Sequence, residues 1–562
     1  MTLRPLASSL ALLAVSACAS LPGTPEAPAG APVEVQLIAL NDFHGTLLPP
    51  ASETAYRDGA TTRRGQLGGA ARLGATIARL RAQQPASLVV AAGDLIGASP
   101  VISQQFLDEP AVAALTMAGL DVAAVGNHEF DRGIAELRRM QEGGCAQYTL
   151  RTPCALEPFA GAGFTYLAGN VTDAEGGTLF PGTALREVGG AKIGFIGLTL
   201  KDTPLLVASS AAAGYSFGDE AEAANRLAGE LTAAGADALV LLIHEGARVD
   251  PGFSLEGCPG LSGAILPILE KLDPVIGLVV SGHTHLAYTC KVGGRTLTSA
   301  GRYGAFVTRI GMTIDPASDR VLALDARNVP VSAAEGEHPA IAAMVARYAE
   351  AGAAIAERPV GSWQLAGAEG ETCPDRPADR LVADAQLAAT RTLGAGAADI
   401  AFVNSGGVRS DLAPGTSGAM TFGDVFALQP FANSVLLVEM PGSAIKAALE
   451  EQFCEASDGR VAICHSLLIP AAGFSYSFDR NRPAGERIVA MTLAGEPLDL
   501  SRSYRVATNN FLLGGGDGFS TFTRFPVIEN LGADLDALEA WLAPGASIGA
   551  CGRMVDLTRS GA

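Results

Sequence analysis

Six short apolar runs, at residues 35–40, 87–92, 122–125, 192–198, 238–243 and 275–280, punctuate the first 330 residues, and five of them stop at a polar motif. The motifs are Asn41-Asp42-Phe43-His44-Gly45, Gly93-Asp94, Gly126-Asn127-His128-Glu129-Phe130-Asp131, His244-Glu245-Gly246 and Gly282-His283-Thr284-His285. The runs have the length and β-rich composition of strands. Helical patterns lie between several of them, at 70–83, 110–118 and 219–233. This alternation predicts a layered α/β domain. In such domains the active groups gather at the carboxyl ends of strands, where loops vary without damaging the core. All five motifs hold that position, and four of them contain five of the chain's seven histidines.

Imidazole, carboxylate and carboxamide groups in this pattern point to metal binding, with two ions. Successive strand residues face opposite ways, so Asp42 and His44, and likewise His283 and His285, are expected to share a face. Asp94 can bridge two ions with its two oxygens, and Asn127 offers a neutral carbonyl oxygen. Such a mixture suits Zn²⁺, Mn²⁺, Fe or Co²⁺ better than Ca²⁺.

The order of the motifs resembles the calcineurin-like metallophosphoesterase superfamily. The fuller forms at residues 41–45 and 126–131 resemble its 5′-nucleotidase branch, which includes UDP-sugar hydrolases. The resemblance implies a four-layer α/β/β/α domain followed by a linker helix and a C-terminal α/β substrate domain. It implies one divalent ion at Asp42, His44, Asp94 and His285, and a second at Asp94, Asn127, His244 and His283. Zn, Mn, Co, Fe and Mg are the candidates. It further implies attack on phosphorus by a hydroxide shared between the ions. His128 and Asp131 would form a catalytic dyad, in which the carboxylate orients the imidazole and favours its charged form.

The grammar changes after residue 360. A helix is expected at 381–393 and a strand at 400–403, followed by the turn Asn404-Ser405-Gly406-Gly407. With residues 429–433 and 510–519, this turn resembles the 5′-nucleotidase C-terminal domain. The resemblance implies that Phe431 and Phe511 sandwich a base, Asp517 accepts ribose hydroxyls, Asn404 contacts the base and Arg409 the phosphate. Relatives carry further arginines before the helix near Leu381. Arg376 is the nearest candidate here, in a different register. A base pocket in one domain and metals in the other imply a crevice between them.

The expected organisation is a signal peptide at 1–17, a tether at 18–32, the metallophosphoesterase domain at 33–330, a linker helix within 331–359 and the substrate domain at 360–562. Arg4 and the apolar residues 6–17 make a short export signal. Val15-Ser16-Ala17-Cys18 resembles the bacterial lipoprotein signal, with Cys18 lipidated and the protein held in the periplasm or at the cell surface. The eight other cysteines suggest disulfides. The expected pairs are Cys145–Cys154, Cys258–Cys290 and Cys454–Cys464, leaving Cys373–Cys551.

A net charge of −19 argues against a nucleic-acid polymer as partner. It also requires local cations at any site for an anionic substrate. The leading expectation is an exported phosphohydrolase acting on nucleoside 5′-monophosphates and also on UDP-sugars. The alternatives are a 2′,3′-cyclic-nucleotide phosphodiesterase/3′-nucleotidase, a thiosulfohydrolase-like enzyme and a non-catalytic surface lipoprotein.

Overall fold

The strand Val33–Leu40 is inaccessible along most of its length because its sheet is covered on both faces. It pairs in parallel with Ser87–Ala92 and antiparallel with Phe306–Asp315. The computed structural model describes residues 32–149, 151–207, 211–366, 373–431, 433–455, 461–463 and 466–558. The signal peptide, the lipidation expected at Cys18 and the partner expected for Cys454 lie outside these residues.

Two six-stranded sheets form the first domain. In the first, Val33–Leu40, Ser87–Ala92, Val122–Ala124 and Thr165–Leu167 run parallel, with Phe306–Asp315 and Arg320–Pro330 added antiparallel on one side. In the second, Ala191–Thr199, Ala238–His244, Ile276–Ser281 and Arg295–Ala300 run parallel, with antiparallel edges. The sheets meet face to face: Leu37, Ala39 and Val90 of one share a buried cluster with Phe195, Val240, Leu242 and Val280 of the other.

Helices cover the outer faces. Ala70–Gln83 buries Leu73, Ile77 and Leu80, the spacing of one helical stripe, against the first sheet beside Glu109–Ala118. Glu220–Ala233, capped by the Asp219 carboxylate, and Ile265–Lys271 cover the second. The four layers expected from the motif order are therefore present.

The linker helix expected within 331–359 spans Pro339–Ala356. His338, which belongs to none of the motifs, caps it. Ile341, Met344, Val345 and Tyr348 pack into the first domain's core, which fixes the helix to that domain before the chain enters the second.

The second domain is built on a five-stranded sheet in which Ile400–Asn404 lies beside Ser503–Asn509. Its core includes residues of the helices Pro377–Ala389 and Asp534–Leu542. The first of these begins earlier than expected, because Pro377 presets the backbone of the first turn and Asp379 accepts from the Arg376 N–H. It also ends earlier: a 3₁₀ segment, Thr390–Gly396, follows. Disulfides join Cys145 to Cys154, Cys258 to Cys290 and Cys373 to Cys551. Among the described residues no helix is long and apolar enough to cross a membrane.

Candidate active site

The five motifs leave five strands at one end of the stacked sheets, three from the first sheet and two from the second. Strand alternation does not aim their side chains, contrary to expectation. The strands stop at Leu40 and Ser281, before the paired residues begin. Asp42, His44, Asp94, His283 and His285 instead hold left-handed backbone, with φ of 49°, 47°, 51°, 68° and 62°. Each such residue costs about 1–3 kcal/mol, and clustering of this strain is characteristic of functional sites. Backbone bonds between neighbouring loops hold it in place: Asp42 N–H donates to the Gly93 carbonyl and His44 N–H to that of Asp94, both at 3.0 Å. The loops approach so closely that side chains cannot fit between them. A Cβ on Gly126 would sit 2.2 Å from Asp94 Oδ1, and one on Gly93 would sit 2.6 Å from the Gly126 nitrogen.

Two donor sets result. Asp42, His44, Asp94 and His285 bring ligand atoms within 4.8 Å of one another, as do Asp94, His244 and His283. Asn127 Oδ1 joins the second set, 3.1 Å from His244 Nε2 and 3.2 Å from His283 Nδ1. Backbone carbonyls fix two tautomers. His44 Nδ1–H donates to Gly97 at 2.9 Å, and His244 Nδ1–H to Ala92 at 2.8 Å. The free lone pair of His44 Nε2 then faces His285 Nε2 at 3.0 Å. His244 Nε2 lies 3.0 Å from Asp94 Oδ2, close enough to share a proton with it. Buried imidazole nitrogens and carboxylate oxygens that converge in this way could hold a cation between them, and the nitrogen–oxygen mixture fits divalent transition metals.

The electrostatics agree. Burial pushes His44 down to about 3. Burial, then His44 and Arg409, hold His285 well below the usual imidazole range. Both are therefore neutral donors. Burial acts to raise Asp94, but His244, His128 and His44 outweigh it and keep the carboxyl well below the ordinary range. Burial likewise acts to lower His244, yet Asp94 and Asp42 pull it up to about 10. Metal binding at this set therefore has to displace a proton.

His128 stands beside these sets. Its backbone N–H donates to Asp94 Oδ1 at 2.9 Å, and its Nδ1 donates to Asp131 at 2.9 Å. Burial opposes its charged form, but Asp131 and Asp94 prevail and raise its pKa. The ring also stacks on Phe431 of the second domain, with centroids 5.7 Å apart and planes 15° apart.

A cavity of about 250 Å³ lies between the domains. Asn127, His128, Asp131 and His283 line one side, and Asn404, Arg409, Phe431, Phe511 and Asp517 the other. Asn404 Nδ2 donates to Asp517 Oδ2 at 2.8 Å, and the Arg409 guanidinium lies 5.8 Å over the Phe431 ring. Arg376 is not in this lining. It donates to Asp379 at 2.6 Å, to Asp411 at 3.1 Å and to the Val408 carbonyl at 2.7 Å.

Some contributors carried no assigned role in the sequence. The buried Glu129 accepts the N–H groups of Asp94, Leu95 and Gly126 at 2.9, 2.7 and 2.7 Å, binding two motif loops together. Its place inside the 126–131 motif was the available signal. Asn41 holds Asp42 Oδ2 at 2.6 Å. Arg248, Leu206 and Val207 line the cavity from segments whose composition gives no hint of it.

Residues 35–287 match the calcineurin-like phosphoesterase family, and residues 360–524 match the 5′-nucleotidase C-terminal domain. The chain is 29% identical to cell wall protein Lmo0130 of Listeria monocytogenes, over 93% of this chain and 69% of that protein. It is 26% identical to a probable 5′-nucleotidase of Treponema pallidum, covering 87% of each. In fold it is similar to a 5′-nucleotidase precursor from Thermus thermophilus, with a TM-score of 0.74 and 24% identity, over 94% of this chain and all of the other.

Proposed function

This chain belongs to the 5′-nucleotidase family of calcineurin-like phosphoesterases, hydrolases of phosphoester bonds, and from that premise we propose that it releases phosphate from nucleoside 5′-monophosphates. One observation carries the proposal: one interdomain cavity has Asn127 and His283 of the second donor set with the His128–Asp131 pair on one wall, and Phe431, Phe511 and Arg409 on the other. We extend the substrate range to UDP-sugars, which present the same nucleoside end. The disulfides, the apolar N-terminus and the likeness to a cell wall protein support export, with Cys18 as the lipid anchor.

Asp42, His44, Asp94 and His285 would hold one divalent ion, and Asp94, Asn127, His244 and His283 the other. What two such ions supply when bound is charge to polarise a phosphoryl oxygen and to acidify water near neutral pH. The chain's own groups do the rest. Asp131 keeps the proton on His128, which faces developing charge on the phosphoryl oxygens or protonates the leaving 5′-oxygen. Arg409 has no carboxylate partner among the described residues, so its planar fork is available to phosphate. It supplies the local cation that a chain of net charge −19 needs. Phe431 and Phe511 stack on the base, Asn404 meets its edge, and Asp517 accepts ribose hydroxyls.

Phe431→Ala separates nucleotide recognition from chemistry. Stacking is worth about 1–3 kcal/mol per base, so KM for AMP should rise about tenfold. Hydrolysis of p-nitrophenyl phosphate, which has no base, should be unchanged. Equal losses on both substrates would refute base stacking.

A further inference from the structure

Gln429 and Asn433 flank Phe431 in sequence, and both are tied to Asp534, the first residue of the helix Asp534–Leu542. The Gln429 amide donates to Asp534 Oδ2 at 3.2 Å, and the Asp534 backbone N–H donates to the Asn433 carbonyl at 2.9 Å. Both side chains are buried. Gln429 Oε1 and Asp534 Oδ1 have no hydrogen-bond donor among the described residues.

With an ionised Asp534, two buried acceptors of one pair stay unsatisfied, an arrangement native proteins rarely keep. Exchanging the amide's nitrogen and oxygen does not help, because the amide oxygen would then face a carboxylate oxygen. A proton on Asp534 removes the problem. Acid and amide can then exchange an O–H and an N–H, each to the other's carbonyl oxygen. Burial also pushes the Asp534 carboxyl up to about 7, against the pull of the N–H groups at the helix start and with a small addition from Asp536. Asp536 is the charged group that acts on it among the described residues, and Gln429 presents only an uncharged amide.

We propose that Asp534 is a positioning residue that pairs as the neutral acid with Gln429 and, bonded to Asn433, sets where Phe431 stands in the substrate cavity. It touches no reacting atom. The role rests on the nucleotidase reading above, in which Phe431 stacks on the base.

The test compares Asp534→Asn and Asp534→Ala in the full chain, reconstituted with Mn²⁺. Asparagine presents an N–H where the acid has its O–H, so KM for AMP should stay within about twofold of wild type. Alanine removes both bonds to Gln429, so KM for AMP should rise about tenfold, with p-nitrophenyl phosphate hydrolysis unchanged. Thermal melting across pH gives a second readout. A carboxyl whose pKa is raised on folding contributes stability that is complete below the ordinary carboxylate range and is lost as pH rises through the folded value. Wild type should therefore lose melting temperature relative to Asp534→Asn as pH rises through about 7. An AMP KM raised as much by asparagine as by alanine would overturn the proposal, since it would mean the charged carboxylate is needed. No change with alanine would overturn it as well. If wild type cleaves the small ester but not AMP, the nucleotidase reading fails separately. The melting comparison then decides, and parallel curves overturn the inference.

Discussion

His128→Ala should keep its full complement of bound metal and lose about 10²–10⁴-fold in turnover of AMP, the range for removing a positioned acid–base group. The geometry separates the two readouts. His128 contributes no ring atom to either donor set, and its link to Asp94 runs through its backbone N–H, which alanine retains. What alanine removes is the imidazole whose Nδ1 is held by Asp131. Metal analysis of dialysed protein beside single-turnover phosphate release checks both halves. Metal loss in the variant would make His128 a structural residue instead.

The second large effect is at Asp94. It is the carboxylate common to both donor sets, with Oδ2 at 3.0 Å from His244 and 3.6 Å from His44, while Oδ1 accepts the His128 N–H. Asp94→Asn preserves the shape but removes the charge, and it replaces one oxygen with a donor. That donor must face either the His128 N–H or the imidazoles. Bound metal should fall, and turnover should drop by more than the ~10²-fold typical of losing a residue that merely supports a ligand. The pair of variants thus has opposite signatures: His128→Ala loses rate with metal kept, Asp94→Asn loses both. An Asp94→Asn protein with full metal content would contradict the shared-ligand assignment.

Much of this was legible in the chain before folding. Short apolar runs ending at Asp, Asn and His mark strand exits, because a doubly covered strand is apolar and polar side chains gather at its end. The runs at 87–92 and 238–243 and the helix at 70–83 lie within a residue of the observed Ser87–Ala92, Ala238–His244 and Ala70–Gln83. The aiming of the candidate donor side chains was not legible. Asp42, His44, His283 and His285 lie beyond the strand ends in left-handed turns, where period-two alternation has no force and bonds to the neighbouring loops decide the backbone. Arg376 shows a similar limit. The resemblance to relatives made it a substrate-binding candidate in a different register, and Asp379 and Asp411 hold its guanidinium. The Gln429–Asp534 pair spans 105 residues and carries no local pattern, so only the fold reveals it.

On the proposed reading, metal chemistry in the first domain acts on a nucleotide held by the second. Its most direct test is phosphate release by chelator-stripped protein, before and after adding Mn²⁺, Co²⁺, Zn²⁺ or Mg²⁺, with AMP, UMP, UDP-glucose, 2′,3′-cyclic AMP and thiosulfate offered in parallel. The stripped protein should hydrolyse none of them, and returning metal should restore phosphate release with AMP or UMP preferred. Silence toward both nucleotides with every metal, or a preference for thiosulfate, would contradict it.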